Sequence, residues 1–154
     1  MKKVFFVILL ILPIVCYLLL ARAEPDFLGR MCKGSARCFY GTLDQIVDGD
    51  TLVIDGETVR LALVNTPEKE EDDYDAAIEF LESICPIRSE VVVDEDDLQT
   101  SRSHRRIMAV VYCQGDRVSN LNEELLDSGY AWILDDFCGR SEFASEEWAR
   151  YHGC

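Results

Sequence analysis

Oxygen-bearing side chains are concentrated in two short segments on either side of an arginine. Residues 48–51 (DGDT) form an acidic, glycine-containing turn, residues 65–68 (NTPE) form a second oxygen-rich turn, and Arg60 lies between them. Carboxylate and carbonyl oxygens bind hard cations, and a guanidinium binds phosphate through two parallel hydrogen bonds. The spacing therefore indicates metal-assisted attack on a phosphodiester.

A later arginine-led strand completes a pattern that resembles the thermonuclease family, named for staphylococcal nuclease. The resemblance rests on VDGDT at 47–51, Arg60, NTPE at 65–68, and HRR at 104–106 before the apolar run 107–112. It covers roughly residues 39–137. It implies a small Greek-key barrel of the oligonucleotide-binding type and a calcium-dependent nuclease activity.

The resemblance implies three calcium ligands. Asp50 would supply a carboxylate oxygen, Asn65 a side-chain oxygen and Thr66 its backbone carbonyl. Asn65 departs from the family, which has aspartate at this position. An amide oxygen still coordinates Ca²⁺ but carries no formal charge, so we expect weaker or altered metal binding. Asp48 has the common alternative role of accepting hydrogen bonds from turn amides.

By the same resemblance, three residues carry the catalysis. Glu68 would activate water as a general base, and Arg60 and Arg106 would clamp the phosphate as negative charge develops. Glu68 also opens an acidic run, which in the simpler interpretation is a solvated loop. A lone arginine on a strand commonly forms a surface salt bridge. Here, however, arginine is present at both positions where the family has its phosphate-binding arginines.

The hairpin between these turns imposes a constraint. Asp55-Gly56 predicts a regular two-residue turn, which places Thr51 opposite Arg60. Asp50 would then point to the opposite face of the hairpin from Arg60. A bulge at residues 49–50 would bring the two side chains together.

Two residues are expected to contact the substrate beyond the phosphate. The family's two substrate-binding tyrosines correspond here to about Asp135 and Phe137, so one aromatic side chain is lost and one retained. His104 precedes the arginines of the second motif and could stack on a base. In the simpler interpretation it is an exposed loop histidine.

The N-terminus resembles an export signal. Lys2 and Lys3 precede an apolar run, and residues 21–23 (ARA) form a small-x-small cleavage site, so we expect a signal peptide at 1–23. An uncleaved membrane anchor is the alternative. The expected division is a leader segment at 24–38 and a thermonuclease-like domain at 39–154, in a monomer that is secreted or tethered outside the membrane.

The cysteines agree with export. Seven are present, and loss of Cys16 with the signal peptide leaves an even number, which favours disulfides in an oxidising compartment. Six cysteines allow 15 connectivities. We expect three local bridges, which pair Cys32 with Cys38, Cys85 with Cys113, and Cys138 with Cys154.

The charge of the chain is unusual for a nuclease. It has 15 basic and 29 acidic residues, a net charge of −14. Loss of Lys2, Lys3 and Arg22 with the signal peptide would leave 12 basic residues against 29 acidic ones, or −17. Such a surface repels a polyanion and argues against polymeric DNA as the substrate, unless salt screens the repulsion.

The remaining pattern predicts one α+β domain. Apolar, β-branched runs predict strands at 41–47, 51–54, 57–64, 90–93 and 106–113, and helical spacing predicts helices near 77–84, 120–129 and 144–151. Five strands and three helices suit a disulfide-stapled, five-stranded Greek-key barrel of the oligonucleotide-binding type.

The predicted function is a secreted Ca²⁺-dependent nuclease that hydrolyses phosphodiester bonds of DNA or RNA with little sequence preference. A non-catalytic barrel that binds oligonucleotides or a protein partner at the cell surface is the alternative. Asn65 and the acidic surface favour the alternative, whereas Glu68 and the two arginines oppose it.

Overall fold

A computed structural model of the chain describes residues 31–100, 106–115 and 117–154. The strands of this part are β1 (Cys38–Asp48), β2 (Thr51–Ile54), β3 (Glu57–Leu61), β4 (Val64–Asn65), β5 (Glu90–Glu95), β6 (Arg106–Gln114), β7 (Val118–Asn120) and β8 (Trp132–Ile133). The helices are α1 (Tyr74–Ile84), α2 (Leu121–Ser128) and α3 (Glu147–Tyr151), and 3₁₀ helices span Asp135–Arg140 and Glu142–Ser145.

Five of the strands close into a barrel. The main sheet has the order β3-β2-β1-β5-β6-β7, and a parallel pairing between β3 and β6 joins its two sides. β4 and β8 form a separate two-stranded ribbon. The predicted α+β barrel of the oligonucleotide-binding type is therefore confirmed.

The predicted third strand is shorter than expected. β3 ends at Leu61, the chain turns through Leu63 with a φ of 64°, and β4 then begins at Val64. Leu61, Leu63 and Val64 are all buried, so the apolar run continues through the turn. A run of buried residues cannot reveal such a break, because its hydrophobicity is uninterrupted.

The Asp55-Gly56 hairpin forms as predicted. Both residues have positive φ, 46° and 76°, which suits a two-residue turn that matches the twist of the strands. The register places Thr51 opposite Arg60 and Ile54 opposite Glu57. This turn fixes which side chains β3 presents to the site.

The three expected disulfides are present. They join Cys32 to Cys38, Cys85 to Cys113, and Cys138 to Cys154. Cys85 follows the end of α1 and Cys113 lies in β6, so the second bridge fastens the helix to the barrel wall. Both of these cysteines are buried in the core.

The described end of the leader segment is held against the barrel. The backbone amide of Lys33 donates to Asp94 Oδ2 at 2.9 Å, and the amides of Ser35 and Ala36 donate to the Asp97 carboxylate. The predicted signal peptide lies outside the described residues. Within the described part, no helix is long and apolar enough to cross a membrane.

Asp94 is a buried carboxyl group in this attachment. It is fully buried on β5, and its Oδ1 atom has no hydrogen-bond partner among the described atoms. Burial raises the pKa of Asp94 to about 7, the hydrogen bond from Lys33 opposes that rise, and the charges of Glu142 and Asp97 add to it.

We expect the free energy of unfolding of Asp94→Asn, relative to that of the wild type, to be higher at pH 8 than at pH 4. The unfolded carboxyl ionises near pH 4, while the folded one keeps its proton up to about pH 7, so the wild type loses stability between these values. The side-chain amide introduced by Asp94→Asn does not ionise, so the variant avoids this loss of stability, which is on the order of 1 kcal/mol or more. Urea unfolding at both pH values measures it, and an equal effect of the substitution at both would contradict the raised pKa.

Candidate active site

The two oxygen-rich turns meet at Gly49 and Thr66. A Cβ atom on Gly49 would lie 2.7 Å from Thr66 Oγ1, so glycine is needed for the approach. In the same turn Asp48 Oδ1 accepts a hydrogen bond from the Asp50 amide at 3.1 Å. Asp48 therefore takes the turn-stabilising role, and Asp50 is the carboxylate that faces the second turn.

The Asp50 carboxylate connects three segments of the chain. Its Oδ1 atom forms an ion pair with Arg60 Nη1 and accepts a hydrogen bond from Thr51 Oγ1 at 3.2 Å. Its Oδ2 atom accepts a hydrogen bond from the Thr66 amide at 3.0 Å. Asp50 is only 6% exposed, and a buried carboxylate is tolerated when its charge and both oxygens are satisfied in this way.

Arg60 reaches both predicted metal-binding side chains. In addition to its ion pair with Asp50, its Nη2 atom donates to Asn65 Oδ1 at 2.9 Å. Burial lowers the pKa of Arg60, the charges of Asp48 and Glu68 raise it, and that of Arg106 lowers it. All three charged groups therefore influence the guanidinium.

A regular hairpin would place Asp50 and Arg60 on opposite faces, but the structure brings their side chains into contact. The register is the expected one, but Asp50 lies in the turn before β2, where strand alternation does not apply. Its carbonyl accepts a hydrogen bond from the Leu61 amide at 2.8 Å. The β1–β2 pairing has two irregularities, between Leu43 and Gln45 and between Ile46 and Asp48, and the second lies slightly before the expected bulge.

The two arginines face the same side of the barrel because of the register in which β3 pairs with β6. Thr58 is paired with Arg106, and Arg60 with Met108. Residues two apart on a strand share a face, and paired residues on neighbouring strands do so as well. Closure of the barrel thus places Arg60 beside Arg106, although they are far apart in sequence.

Four of the predicted residues line one cleft of about 830 Å³. This volume is in the range of small-molecule sites. Its wall combines the predicted residues with apolar and cationic groups that the motif analysis did not identify. The lining residues are Arg60, Leu63, Asn65, Leu98, Gln99, Arg106, Met108, Leu134, Phe137, Gly139 and Arg140.

Arg140 is a cleft residue that the sequence analysis missed. Its guanidinium carbon lies 5.9 Å from the centre of the Phe137 ring, in the range of a cation–π contact. The i, i+3 spacing within one 3₁₀ helix brings the two side chains to the same face. Among the described residues, three arginines therefore line the cleft of an otherwise acidic chain, whereas Asp135, at the position of the lost aromatic residue, is exposed.

Glu68 and Arg106 are the exposed members of the predicted set. Glu68 follows Pro67, and its amide donates to Glu71 Oε2 at 2.7 Å. In the described ranges neither the Glu68 carboxylate nor the Arg106 guanidinium has a hydrogen-bond or ion-pair partner. Both groups are therefore available to a ligand. His104 lies outside the described residues.

Asp50, Asn65 and Thr66 offer the types of oxygen atom that hard cations bind. The set comprises one carboxylate, one amide oxygen and one backbone carbonyl. In the part of the chain that the structure describes, no group of three His, Cys, Asp or Glu side chains could hold a metal. A cation here would thus rely on uncharged oxygens for two of its three protein ligands.

Comparison with known proteins identifies the family. The family model described as "Staphylococcal nuclease homologue" matches residues 58–150. Arg60, Asn65, Glu68 and Arg106 lie inside the match, and Asp50 lies just before it. No curated protein matches the chain significantly. The match covers more than half of the chain, which therefore belongs to the staphylococcal nuclease homologue family.

Proposed function

We propose that this chain is an exported, monomeric, calcium-dependent nuclease that hydrolyses phosphodiester bonds of DNA or RNA with little sequence preference. The observation that carries the proposal is the pairing of β3 with β6, which sets Arg60 and Arg106 in one cleft beside the oxygens of Asp50 and Asn65. Membership of the nuclease family supports the reaction class. The three disulfides support an oxidising compartment.

The arginines bind the phosphate and stabilise its developing charge. Arg60 is held in place by Asp50 and Asn65, so its guanidinium loses little freedom when phosphate binds. Arg106 is exposed and approaches from the neighbouring strand. Planar guanidinium groups make bidentate contacts, which strengthen as negative charge grows on the phosphate oxygens.

Glu68 accepts a proton from the attacking water. Its carboxylate has no partner in the described part of the chain, and its charge lies close enough to raise the pKa of Arg60. Pro67 restricts the backbone just before it. A carboxylate so placed can orient a water molecule toward a phosphate held by the two arginines.

Asp50, Asn65 and the Thr66 carbonyl are the residues that would hold Ca²⁺. When bound, the cation would polarise a phosphate oxygen and lower the pKa of water. Asp50 would then have two roles, because the same carboxylate positions Arg60 and the Thr66 amide. By family resemblance the products would carry 3′-phosphates.

The direct test uses the oxidised mature protein with single-stranded DNA and RNA, in Ca²⁺ or in EDTA, across a salt series. Calcium-dependent cleavage supports the proposal. Binding without cleavage under every condition would identify the chain as a non-catalytic oligonucleotide-binding barrel. Failure of both cleavage and binding would leave a protein partner as the ligand class.

We expect Glu68→Gln to lower turnover by about 10²-fold or more, because it removes a general base. Nucleotide binding should be largely retained. Single-turnover cleavage and a separate binding assay measure the two effects. Glu70→Gln is the matched control, since it removes the same charge from an exposed position of the same loop. Wild-type turnover in Glu68→Gln would remove Glu68 from the mechanism.

We expect Asn65→Asp to lower the Ca²⁺ concentration needed for half-maximal cleavage, because it adds charge to the oxygen set. Asn120→Asp adds the same charge at the N-cap of α2, where aspartate also caps well. It should leave the calcium dependence unchanged. An unchanged or weaker response to Ca²⁺ in Asn65→Asp would mean that Asn65 is not a ligand.

A further inference from the structure

Trp132 is a large aromatic side chain left half exposed near the cleft. Its surface is 49% exposed, whereas the chain's other tryptophan, Trp148, is 6% exposed. In the described part of the chain the indole has no aromatic stacking partner and no hydrogen bond. Exposed tryptophan is common at binding surfaces, because its ring offers a wide apolar face at little conformational cost.

The strand register ties Trp132 to the candidate active site. In the β4–β8 ribbon Trp132 is paired with Asn65, and Ile133 with Val64. Directly opposite residues share a face of an antiparallel pair, with Cβ atoms about 5 Å apart. Val64 points into the core, so the Asn65 and Trp132 pair is on the outer face. Asn65 contacts Arg60, so Trp132 lies beside a residue that is hydrogen-bonded to a phosphate-binding arginine.

We propose that Trp132 stacks on a nucleobase of single-stranded nucleic acid while the adjoining phosphate lies at Arg60 and Arg106. This inference rests on the proposed function and adds a substrate contact to it. Trp132 thereby replaces the aromatic platform missing at Asp135. The cation–π pair of Phe137 and Arg140 lines the cleft that holds Arg60 and Arg106, and it offers a second face for a neighbouring base.

The charge of the chain explains why stacking is needed. With a net charge of −14, long-range attraction of a polyanion is weak or adverse, and the three cleft arginines act only at short range. Base–aromatic stacking supplies affinity without releasing counterions, so it does not depend on salt in the way phosphate contacts do. Bases within a duplex are already stacked on one another, so the substrate is single-stranded.

Tryptophan fluorescence tests this contact without relying on turnover. The probe is single-stranded octathymidylate, which is added stepwise in the presence of Ca²⁺ to protein that carries Glu68→Gln. This substitution slows cleavage, so that binding is recorded before the probe is cut. We expect binding to quench the emission of protein that retains Trp132. In Trp132→Phe, where only buried Trp148 emits, binding should continue with affinity within about threefold and without quenching.

Trp132→Ala should bind the single-stranded probe about tenfold more weakly. The slope of log affinity against log salt should stay the same, because no phosphate contact is lost. Affinity for a duplex of the same length should change little. Tyr151→Ala is the control, since it removes a tyrosine that is 82% exposed and that lines a different pocket.

Three results would overturn the inference while leaving the nuclease proposal intact. These are binding without quenching of Trp132, an equal affinity in Trp132→Ala, and an equal loss in Tyr151→Ala. The fluorescence result is measured in protein that keeps Trp132, so it does not depend on whether a Trp132 variant folds. Absence of binding to any nucleic acid in every form would remove both the proposed function and this contact.

Discussion

The buried contact of Asp50 with Arg60 and the Thr66 amide is the interaction on which the site depends. It joins the turn after β1, the strand β3 and the loop after β4 through one carboxylate. Because Asp50 is almost fully buried, removal of Arg60 would leave an uncompensated charge, a loss that typically costs about 3–5 kcal/mol. The glycine at position 49 permits this arrangement, since any side chain there would collide with Thr66. Site geometry and local stability are therefore coupled.

Barrel closure supplies the second half of the site. The parallel β3–β6 pairing sets Arg106 beside Arg60, and the 3₁₀ helix at Asp135–Arg140 adds Phe137 and Arg140 to the same cleft. A chain with an excess of acidic residues thus presents a cationic, partly apolar cleft. The overall charge governs long-range attraction, whereas the cleft governs short-range binding. The two are compatible if the ligand is short, flexible and able to stack.

Local patterns predicted most of the barrel and the disulfides. The Asp55-Gly56 turn fixed the register of β2 and β3, and the apolar runs located the barrel strands. The relation of Asp50 to Arg60 stayed open between a regular hairpin and a bulge, because it depends on the path of a turn rather than on strand alternation. Arg140 and Trp132 were missed for a related reason. Their positions depend on a 3₁₀ helix and on a two-residue ribbon between segments remote in sequence, and neither leaves a periodic signal.

The most direct test of this account is a double-mutant cycle between Asp50 and Arg60. The value kcat/KM for single-stranded DNA would be measured at saturating Ca²⁺, so that weaker calcium binding in Asp50→Asn does not contribute. The forms compared are the wild type, Asp50→Asn, Arg60→Gln and the double variant, with folding checked by near-ultraviolet circular dichroism. If Asp50 acts largely by holding Arg60, the double variant should be about as impaired as the worse single variant. Losses that multiply fully in the double variant would show that the two residues act independently and would contradict the account.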